Sequence, residues 1–322
     1  MTNVGWIVPS HPPRLEKLNL LINSYLEYST NIDLIIVWTR KSDNQLPNFK
    51  NIKSIYLDEY FNNIDLELLE KTRSIINVKK IFGIMHEYEK YDGLFCTDDE
   101  VEFTQSFSGQ KLLEDFSIRK VFPATDIGMV KSKDDIIQRI LTESCKLILD
   151  EKDREIIKFA TNNYKLFGWF ADIPFYDCRD VKNFLKKYGL SDYKSLLKLN
   201  FFTFDHILYQ YYKIFSGEST YHELNWIYDK PGAYNWFECL HLSPLNLGYI
   251  HEYEKKFAPR WASSRDLTNY FFHAICVFHT DRVNLRFSRY LLIKHNFKLL
   301  VFSAFPWLDK YISKYNYKFV NL

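Results

Sequence analysis

The pattern of apolar and polar positions at the start of the chain predicts a strand, a helix and a second strand. Residues 4–8 and 34–38 are apolar runs with the length of buried strands, and Pro9 stops the first run. Between the two runs, apolar side chains recur at helical spacing, at Leu15, Leu18, Leu21, Ile22 and Tyr25. A helix in this position predicts that the two strands are parallel and belong to an α/β sheet.

The same pattern returns further along the chain and ends in an acidic cluster. Residues 78–85 place apolar side chains on one helical face, and this helix should stop near residues 90–93. A strand over residues 94–96 follows, and directly after it come Asp98, Asp99 and Glu100. Because open α/β sheets bind ligands at the carboxyl ends of their strands, the cluster is predicted to be part of a binding site.

The rest of the chain changes in character along its length. Residues 119–125 predict a further strand, and residues 131–164 are mainly helical in pattern. Beyond that point, short aromatic-rich segments are separated by loops marked with glycine and proline. We therefore expect an α/β part over residues 1–164, a second part of the same domain over 165–281, and a tail over 282–322.

Composition limits the class of protein and of partner. The chain has 322 residues and is 47% hydrophobic, which is enough for an ordinary core. Aromatic residues make up 18% of it, which suits surfaces that stack on sugars or bases and would also follow from an AT-rich genome. The net charge of only +2 argues against a nucleic-acid partner.

Cysteine usage and hydropathy bear on the compartment. The five cysteines are odd in number and scattered, with no CxxC spacing, which argues against a disulfide framework and a zinc site. The longest nearly apolar run, residues 299–308, is much shorter than the roughly 18 residues that a membrane span needs. With no signal sequence at the start, these features predict a cytoplasmic protein.

The tail over residues 282–322 is strongly basic. Eight lysines and arginines against one aspartate give it a charge of +7, and aromatic and aliphatic residues are interleaved with them. A basic amphipathic tail can lie on an anionic membrane, which would place the protein at the inner face of the membrane. A pair of packed terminal helices with a solvated cationic side is the other interpretation, and both remain open.

The acidic cluster has the spacing of a metal site. Asp98 and Glu100 are one residue apart after a strand, so both carboxylates can converge on one divalent cation. With this cluster, residues 4–14, 77–80 and 91–100 resemble the GT-A glycosyltransferases: a first strand leading to a nucleotide-binding loop, a helix with a basic residue, and a strand ending in Asp-x-Asp. The last position is Glu here, so Asp99 remains open as the primary ligand.

The resemblance implies a fold and a reaction. It implies a GT-A-like, Rossmann-type mixed or parallel sheet flanked by helices, with an aromatic-rich acceptor subdomain and a helical C-terminal tail. The implied activity is Mn²⁺- or Mg²⁺-dependent transfer of a sugar from a nucleotide-diphosphate donor to a glycan or lipid-linked acceptor, as in surface polysaccharide biosynthesis.

The resemblance also assigns donor-binding residues. Pro9, His11 and Arg14 fall where the family's first loop meets the base and ribose, and Lys79 or Lys80 falls where a basic side chain meets the nucleotide. Asp98 and Asp99 would lie at the diphosphate. Each assignment has an ordinary structural alternative, because prolines also stop strands and lysines are common on helix surfaces.

Two later motifs complete the implied site. The loop over residues 168–174 resembles the Gly-Trp-x-x-Glu/Asp loop of inverting enzymes, with Trp169 on the acceptor sugar and Asp172 as the general base. His279 would join Asp98 and Glu100 as a third metal ligand. The structural alternatives are a helix-start aspartate for Asp172 and a satisfied histidine at a strand end for His279.

Three other functions compete with the transferase as interpretations of the sequence. A sugar-phosphate nucleotidyltransferase would carry a Gly-rich basic loop after its first strand, where this chain has Pro-Ser-His-Pro-Pro-Arg. A metal-dependent nuclease could use the same carboxylates but would need a basic groove. A non-catalytic carbohydrate-binding protein is the alternative from a different class.

Overall fold

A computed structural model describes most of the first 223 residues and one later strand. The described ranges are 3–47, 49–99, 101–103, 107–117, 121–126, 134–161, 166–167, 174–223 and 277–279. Glu100, Trp169, Asp172 and the tail over residues 282–322 lie outside them.

Strands and helices alternate along the described chain. The order of the elements is β1 (Val4–Pro9), α1 (Leu15–Tyr28), β2 (Ser29–Thr30), β3 (Asp33–Trp38), β4 (Ile52–Tyr56), α2 (Asn63–Lys71), α3 (Ile75–Glu87), β5 (Gly93–Cys96), β6 (Val101–Phe103), β7 (Phe107–Ser108), α4 (Gly109–Ser117), β8 (Val121–Asp126), α5 (Asp134–Lys146), α6 (Glu151–Ala160), β9 (Leu166–Phe167), β10 (Phe175–Asp177), α7 (Cys178–Lys187), α8 (Asp205–Phe215), β11 (Thr220–Glu223) and β12 (Val277–His279).

The central feature is a mostly parallel five-stranded sheet. Its strand order is β10-β5-β1-β3-β4. Four of these strands, β5, β1, β3 and β4, run parallel to one another. Strand β10 closes one edge antiparallel to β5, with Tyr176 opposite Leu94. The mixed α/β fold class with a largely parallel sheet is therefore confirmed.

Side chains of the strands alternate between two cores. Ile7, Ile35 and Val37 face the side covered by α3, α7 and α8. Trp6 and Ile36 face the opposite side, which α1 and α4 cover. Both faces are apolar because helices cover both sides of a parallel sheet, which explains why the strands read as continuous apolar runs.

The predicted elements of the first part are confirmed with small shifts at their ends. Strand β1 includes Pro9, and α3 begins three residues before Val78 and ends at Glu87. The predicted strand over 119–125 is β8, and the predicted helical stretch contains α5 and α6. Strand β4, helix α2 and strand β10 were not predicted.

Residues from the second predicted part share the core of the first. Tyr176, Val181 and Leu208 belong to the same apolar cluster as Ile7 and Phe82. Strand β10 and helices α7 and α8 therefore complete the layer that α3 begins. No helix within the described ranges is both long enough and apolar enough to cross a membrane.

The strand order creates a crevice at the carboxyl ends of β1 and β5. From β1 the chain passes to β3 on one side, whereas β5 lies on the other side of β1. The strand order thus reverses between β1 and β5, and such a switch point is where open α/β sheets bind ligands. The residues that follow the two strands meet there, since Asp99 pairs with Ser10 and Arg14. The indole Nε1 of Trp6, in the middle of β1, donates to Thr97 Oγ1 over 2.8 Å. This bond links β1 to the residue that follows β5.

Candidate functional site

A pocket of about 310 Å³ opens at this switch point. Its size lies at the lower end of the range of small-molecule sites. Loops after β1, β3 and β5 and the first turn of α3 line it, with a contribution from α2. The lining residues are Pro9, Ser10, His11, Arg14, Thr39, Glu70, Ile75, Ile76, Lys79, Asp98 and Asp99.

Asp99 is held between two donors from the first loop. Its Oδ1 accepts from Arg14 Nε at 2.6 Å, and its Oδ2 accepts from the Ser10 hydroxyl at 2.7 Å. The Asp99 side chain is 4% exposed, against 28% for Arg14. Burial raises the pKa of Asp99, although Ser10 and Arg14 oppose the shift. Asp99 therefore fixes Arg14 in the pocket rather than presenting an open carboxylate.

Lys79 places a buried ammonium group in the pocket. It lies one turn into α3, and its Nζ donates to the Ser10 carbonyl oxygen over 2.6 Å. Burial lowers its pKa to about 8, against the attraction of Asp43, Asp99 and Glu70. One of the three N–H donors is used by this bond, so the group can still donate to an anion.

Lys80 is not among the residues that line the pocket, and it forms an ion pair with Asp98. Its Nζ lies 2.8 Å from Asp98 Oδ1, with the lysine side chain 10% exposed and the aspartate 31%. Asp98 lines the pocket, and its side chain is more exposed than that of its neighbour Asp99. The two adjacent lysines therefore differ in environment. Lys79 lines the pocket, whereas Lys80 does not line it and pairs with Asp98.

A second, fully buried carboxylate also influences Lys80. Asp205, the first residue of α8, is completely buried and accepts a hydrogen bond from the Tyr176 hydroxyl. Burial raises its pKa, but Lys80, His206 and Tyr176 outweigh this and hold the pKa at about 2. For Lys80, burial lowers the pKa, and the attraction of Asp98 and Asp205 raises it above its ordinary value.

The rim of the pocket carries a charged pair and a histidine. Glu70 is held by Arg40, whose Nη1 and Nη2 lie 2.6 and 3.1 Å from the two carboxylate oxygens. Burial lowers the pKa of His11, and nearby Lys79 and Arg14 lower it further, which favours the neutral imidazole. A neutral imidazole can both donate and accept hydrogen bonds at the mouth.

The predicted donor-binding residues converge on this pocket. Six of them line it: Pro9, His11, Arg14, Lys79, Asp98 and Asp99. The seventh, Lys80, is paired with Asp98. The predicted acceptor-side residues Trp169 and Asp172, and the metal ligand Glu100, lie outside the described residues, so those predictions remain untested.

The backbone of His279 is described, although its side chain is not. Strand β12 pairs antiparallel with β6, and His279 lies opposite Val101, the residue that follows the acidic cluster. This register brings the end of β12 beside Val101, two residues after Asp99, although the two strands are far apart in sequence.

The described side chains of the pocket supply few ligands for a divalent cation. No group of three His, Cys, Asp or Glu side chains in that part of the chain could hold a metal. Mg²⁺ is commonly bound through one or two carboxylates together with substrate phosphates and water. Asp98 meets this requirement, because it lines the pocket and is partly exposed, whereas both oxygens of Asp99 are engaged.

Several pocket residues were not predicted from sequence. Ser10 lies within the Pro-Ser-His motif, but its role depends on Asp99, which is distant in the chain. Glu70 lies on α2, whose signal is present as an Asn62 cap with Leu66 and Leu69 on one face.

The chain matches no protein-family model and no curated protein.

Proposed function

We propose that the protein is a metal-dependent glycosyltransferase of the GT-A type that binds a nucleotide-diphosphate sugar in this pocket. The observation that carries the proposal is the meeting of Asp98 and Asp99 with Arg14 and Lys79 at the switch point between β1 and β5. Two cations and an accessible carboxylate in one pocket suit a diphosphate with its bound metal ion better than a neutral ligand or a simple anion.

The residues of the pocket have distinct roles in this proposal. Arg14, fixed by Asp99, and Lys79, fixed by the Ser10 carbonyl, bind the phosphate oxygens. His11 and Pro9 contact the nucleoside at the mouth. Because these donors are held before the ligand arrives, they bind it with little loss of side-chain entropy.

Asp98 would hold a Mn²⁺ or Mg²⁺ ion, together with Glu100 and His279. The ion supplies neutralisation of the charge that develops on the nucleotide leaving group. The β12 register supports the inclusion of His279, since its backbone lies opposite Val101. On the acceptor side, we propose Trp169 for stacking on a glycan or lipid-linked sugar and Asp172 as the base of an inverting reaction.

The test is a donor assay with a matched pair of variants. The full-length protein is incubated with Mn²⁺ or Mg²⁺ and a panel of nucleotide sugars, and released nucleotide is measured. We expect release from at least one donor, and a loss of at least about 100-fold in Asp98→Ala, because the variant lacks the accessible carboxylate. If the protein neither binds nor turns over any of the donors, the proposal is contradicted.

Asp58→Ala is the control for this assay. Asp58 follows β4 at the same edge of the sheet and accepts from the Lys41 amide over 2.9 Å, but it does not line the pocket. Its replacement should leave donor turnover unchanged. Release of pyrophosphate from a nucleoside triphosphate and a sugar phosphate would favour a nucleotidyltransferase instead.

A further inference from the structure

The first turn of α3 lines the pocket without a side-chain cap. Its first two residues, Ile75 and Ile76, are both pocket residues. The N-cap residue is Ser74, whose hydroxyl lies 2.6 Å from Thr72 Oγ1 and 3.4 Å from the Leu69 carbonyl oxygen. That hydroxyl therefore makes no bond to the amide groups of α3, and the first turn contains no acidic residue.

The amide groups of this turn are suited to an anion. An α-helix leaves its first amide groups without acceptors inside the helix. Within the described residues, the first amide of α3 with a backbone acceptor is that of Val78, which donates to the Ser74 carbonyl over 3.1 Å. The helix dipole adds a partial positive charge at the same end, so an anion in the pocket would be attracted there.

Lys79 brings a buried full charge to the same part of the pocket. It lies one turn after Ile75 and lines the pocket with it. Its Nζ donates to the Ser10 carbonyl, a neutral group, and forms no ion pair with a side chain in the described part of the chain. Burying an ammonium group beside a neutral partner is costly, and an anion in the pocket would offset that cost.

Three carboxylates also line the pocket, and each has a cation of its own. The pairs are Glu70 with Arg40, Asp98 with Lys80 and Asp99 with Arg14. Asp43 is near Lys79 but does not line the pocket, and its Oδ2 accepts from the Arg40 amide over 3.0 Å. With Lys79, four cations face three carboxylates, which leaves a net charge of +1 for an incoming anion.

We propose that the first turn of α3 and Lys79 form a binding site for a phosphate group that needs no divalent cation. The pocket of about 310 Å³ has room for a larger molecule around that phosphate, so the ligand class is an organic phosphate or diphosphate. The identity of the ligand rests on the proposed function, in which the phosphate belongs to the nucleotide-diphosphate donor. A metal ion then serves the leaving group during the reaction and is not required for phosphate binding.

The experiment measures pyrophosphate binding to the full-length protein at pH 7 by isothermal titration calorimetry, in buffer that contains EDTA. We expect the wild type to bind. Lys79→Met should lower the affinity by at least about tenfold, because a charge-assisted hydrogen bond is lost. Lys182→Met, at an exposed position of α7, is the matched control and should bind as the wild type does.

Ile76→Glu and Ile76→Gln test the end of the helix separately. Ile76 is 37% exposed, so both variants should fold. The glutamate places a carboxylate at the helix end, and its affinity for pyrophosphate should be at least about tenfold below that of the glutamine variant. Its stability to urea should be equal or higher, because the carboxylate interacts favourably with the helix dipole. Equal affinities in the two variants, or an unchanged affinity in Lys79→Met, would overturn the inference.

Failure of this inference is separable from failure of the proposed function. If the wild type binds pyrophosphate only when Mg²⁺ replaces EDTA, or binds it in neither buffer, the inference is overturned and the donor assay still decides the transferase. If pyrophosphate binds as expected but no nucleotide sugar is bound or turned over, the phosphate site stands and the transferase does not.

Discussion

At the scale of single residues, the pocket retains charges that would be more stable in water. Lys79 is 3% exposed and has a hydrogen bond to the Ser10 carbonyl but no direct ion pair with a side chain in the described part of the chain. Its burial is a cost in folding that a bound phosphate would offset. A protein that keeps such a group sacrifices stability at a position where an anion is expected.

The cost of burying the charge of Lys79 should depend on pH. The pKa falls from 10.5 to about 8 on folding, so below pH 8 the folded state carries the full cost of the charge. Lys79→Met should therefore be more stable than wild type at pH 7, by an amount on the order of 3 kcal/mol before the lost hydrogen bond is counted. As the pH rises from 8 towards 10.5, wild-type Lys79 loses its proton and the gap should narrow.

Urea unfolding of both proteins at pH 7 and pH 10 measures this gap. All other titrating groups are common to the two proteins, so their difference isolates Lys79. A gap that stays constant between the two pH values would show that Lys79 is not desolvated as described.

At the scale of elements, α3 determines the position of both lysines. Gly83 lies where this helix crosses the sheet, and a Cβ there would come within 2.8 Å of Ile7 Cγ2 and 3.1 Å of Val37 Cγ2. The absence of a side chain lets α3 approach β1 and β3 closely. Since Lys79 lies one turn earlier on the same helix, its distance from the Ser10 carbonyl depends on this approach.

Gly83→Val should therefore affect stability and ligand binding together. The added methyl groups overpack the contact with Ile7, and we expect a loss of about 2 kcal/mol in the free energy of unfolding. The displaced helix should also weaken donor binding by the folded protein. Asn183→Val, at an exposed position of α7, is the control and should change stability by no more than about 0.5 kcal/mol. Unchanged stability in Gly83→Val would show that the contact is looser than described.

The elements that the sequence predicts are those with strong apolar periodicity. Strands β1, β3 and β5 and helix α3 are buried on both sides or along a wide face, so their patterns are clear. Strand β4 is an edge strand with polar Lys53 and Ser54 among its five residues, and β10 is only three residues long. Neither has enough apolar positions for its period to be recognised.

The residues of the candidate site likewise divide into those that a local sequence pattern predicts and those that it does not. Arg14 and Asp98 could be predicted because each lies beside the end of a predicted element, and Lys79 because it lies near the start of the predicted helix α3. The pairing of Asp99 with Ser10 depends on a tertiary contact between distant segments, which no local pattern encodes.

At the scale of the whole molecule, the sheet is completed by a strand from far along the chain. Strand β10 pairs with β5, and Phe175 packs against Phe95 with ring centroids 5.0 Å apart. Helices α7 and α8 then cover the face that α3 leaves open, with Tyr188 and Leu208 in the same core as Phe82. The α/β part over residues 1–164 therefore lacks one edge of its sheet and much of one core layer.

This shared core predicts how fragments of the chain behave. A fragment of residues 1–164 exposes the β5 edge and the apolar surface under α7 and α8, so it should show no cooperative unfolding transition. A fragment of residues 1–223 restores both and should unfold cooperatively, because each core cluster then has its described partners. Circular dichroism during urea titration of the two fragments, with the full chain as reference, measures the difference. Cooperative unfolding of residues 1–164 alone would mean that α3 and the parallel strands form an independent domain, and that the pocket does not depend on α8 for its stability.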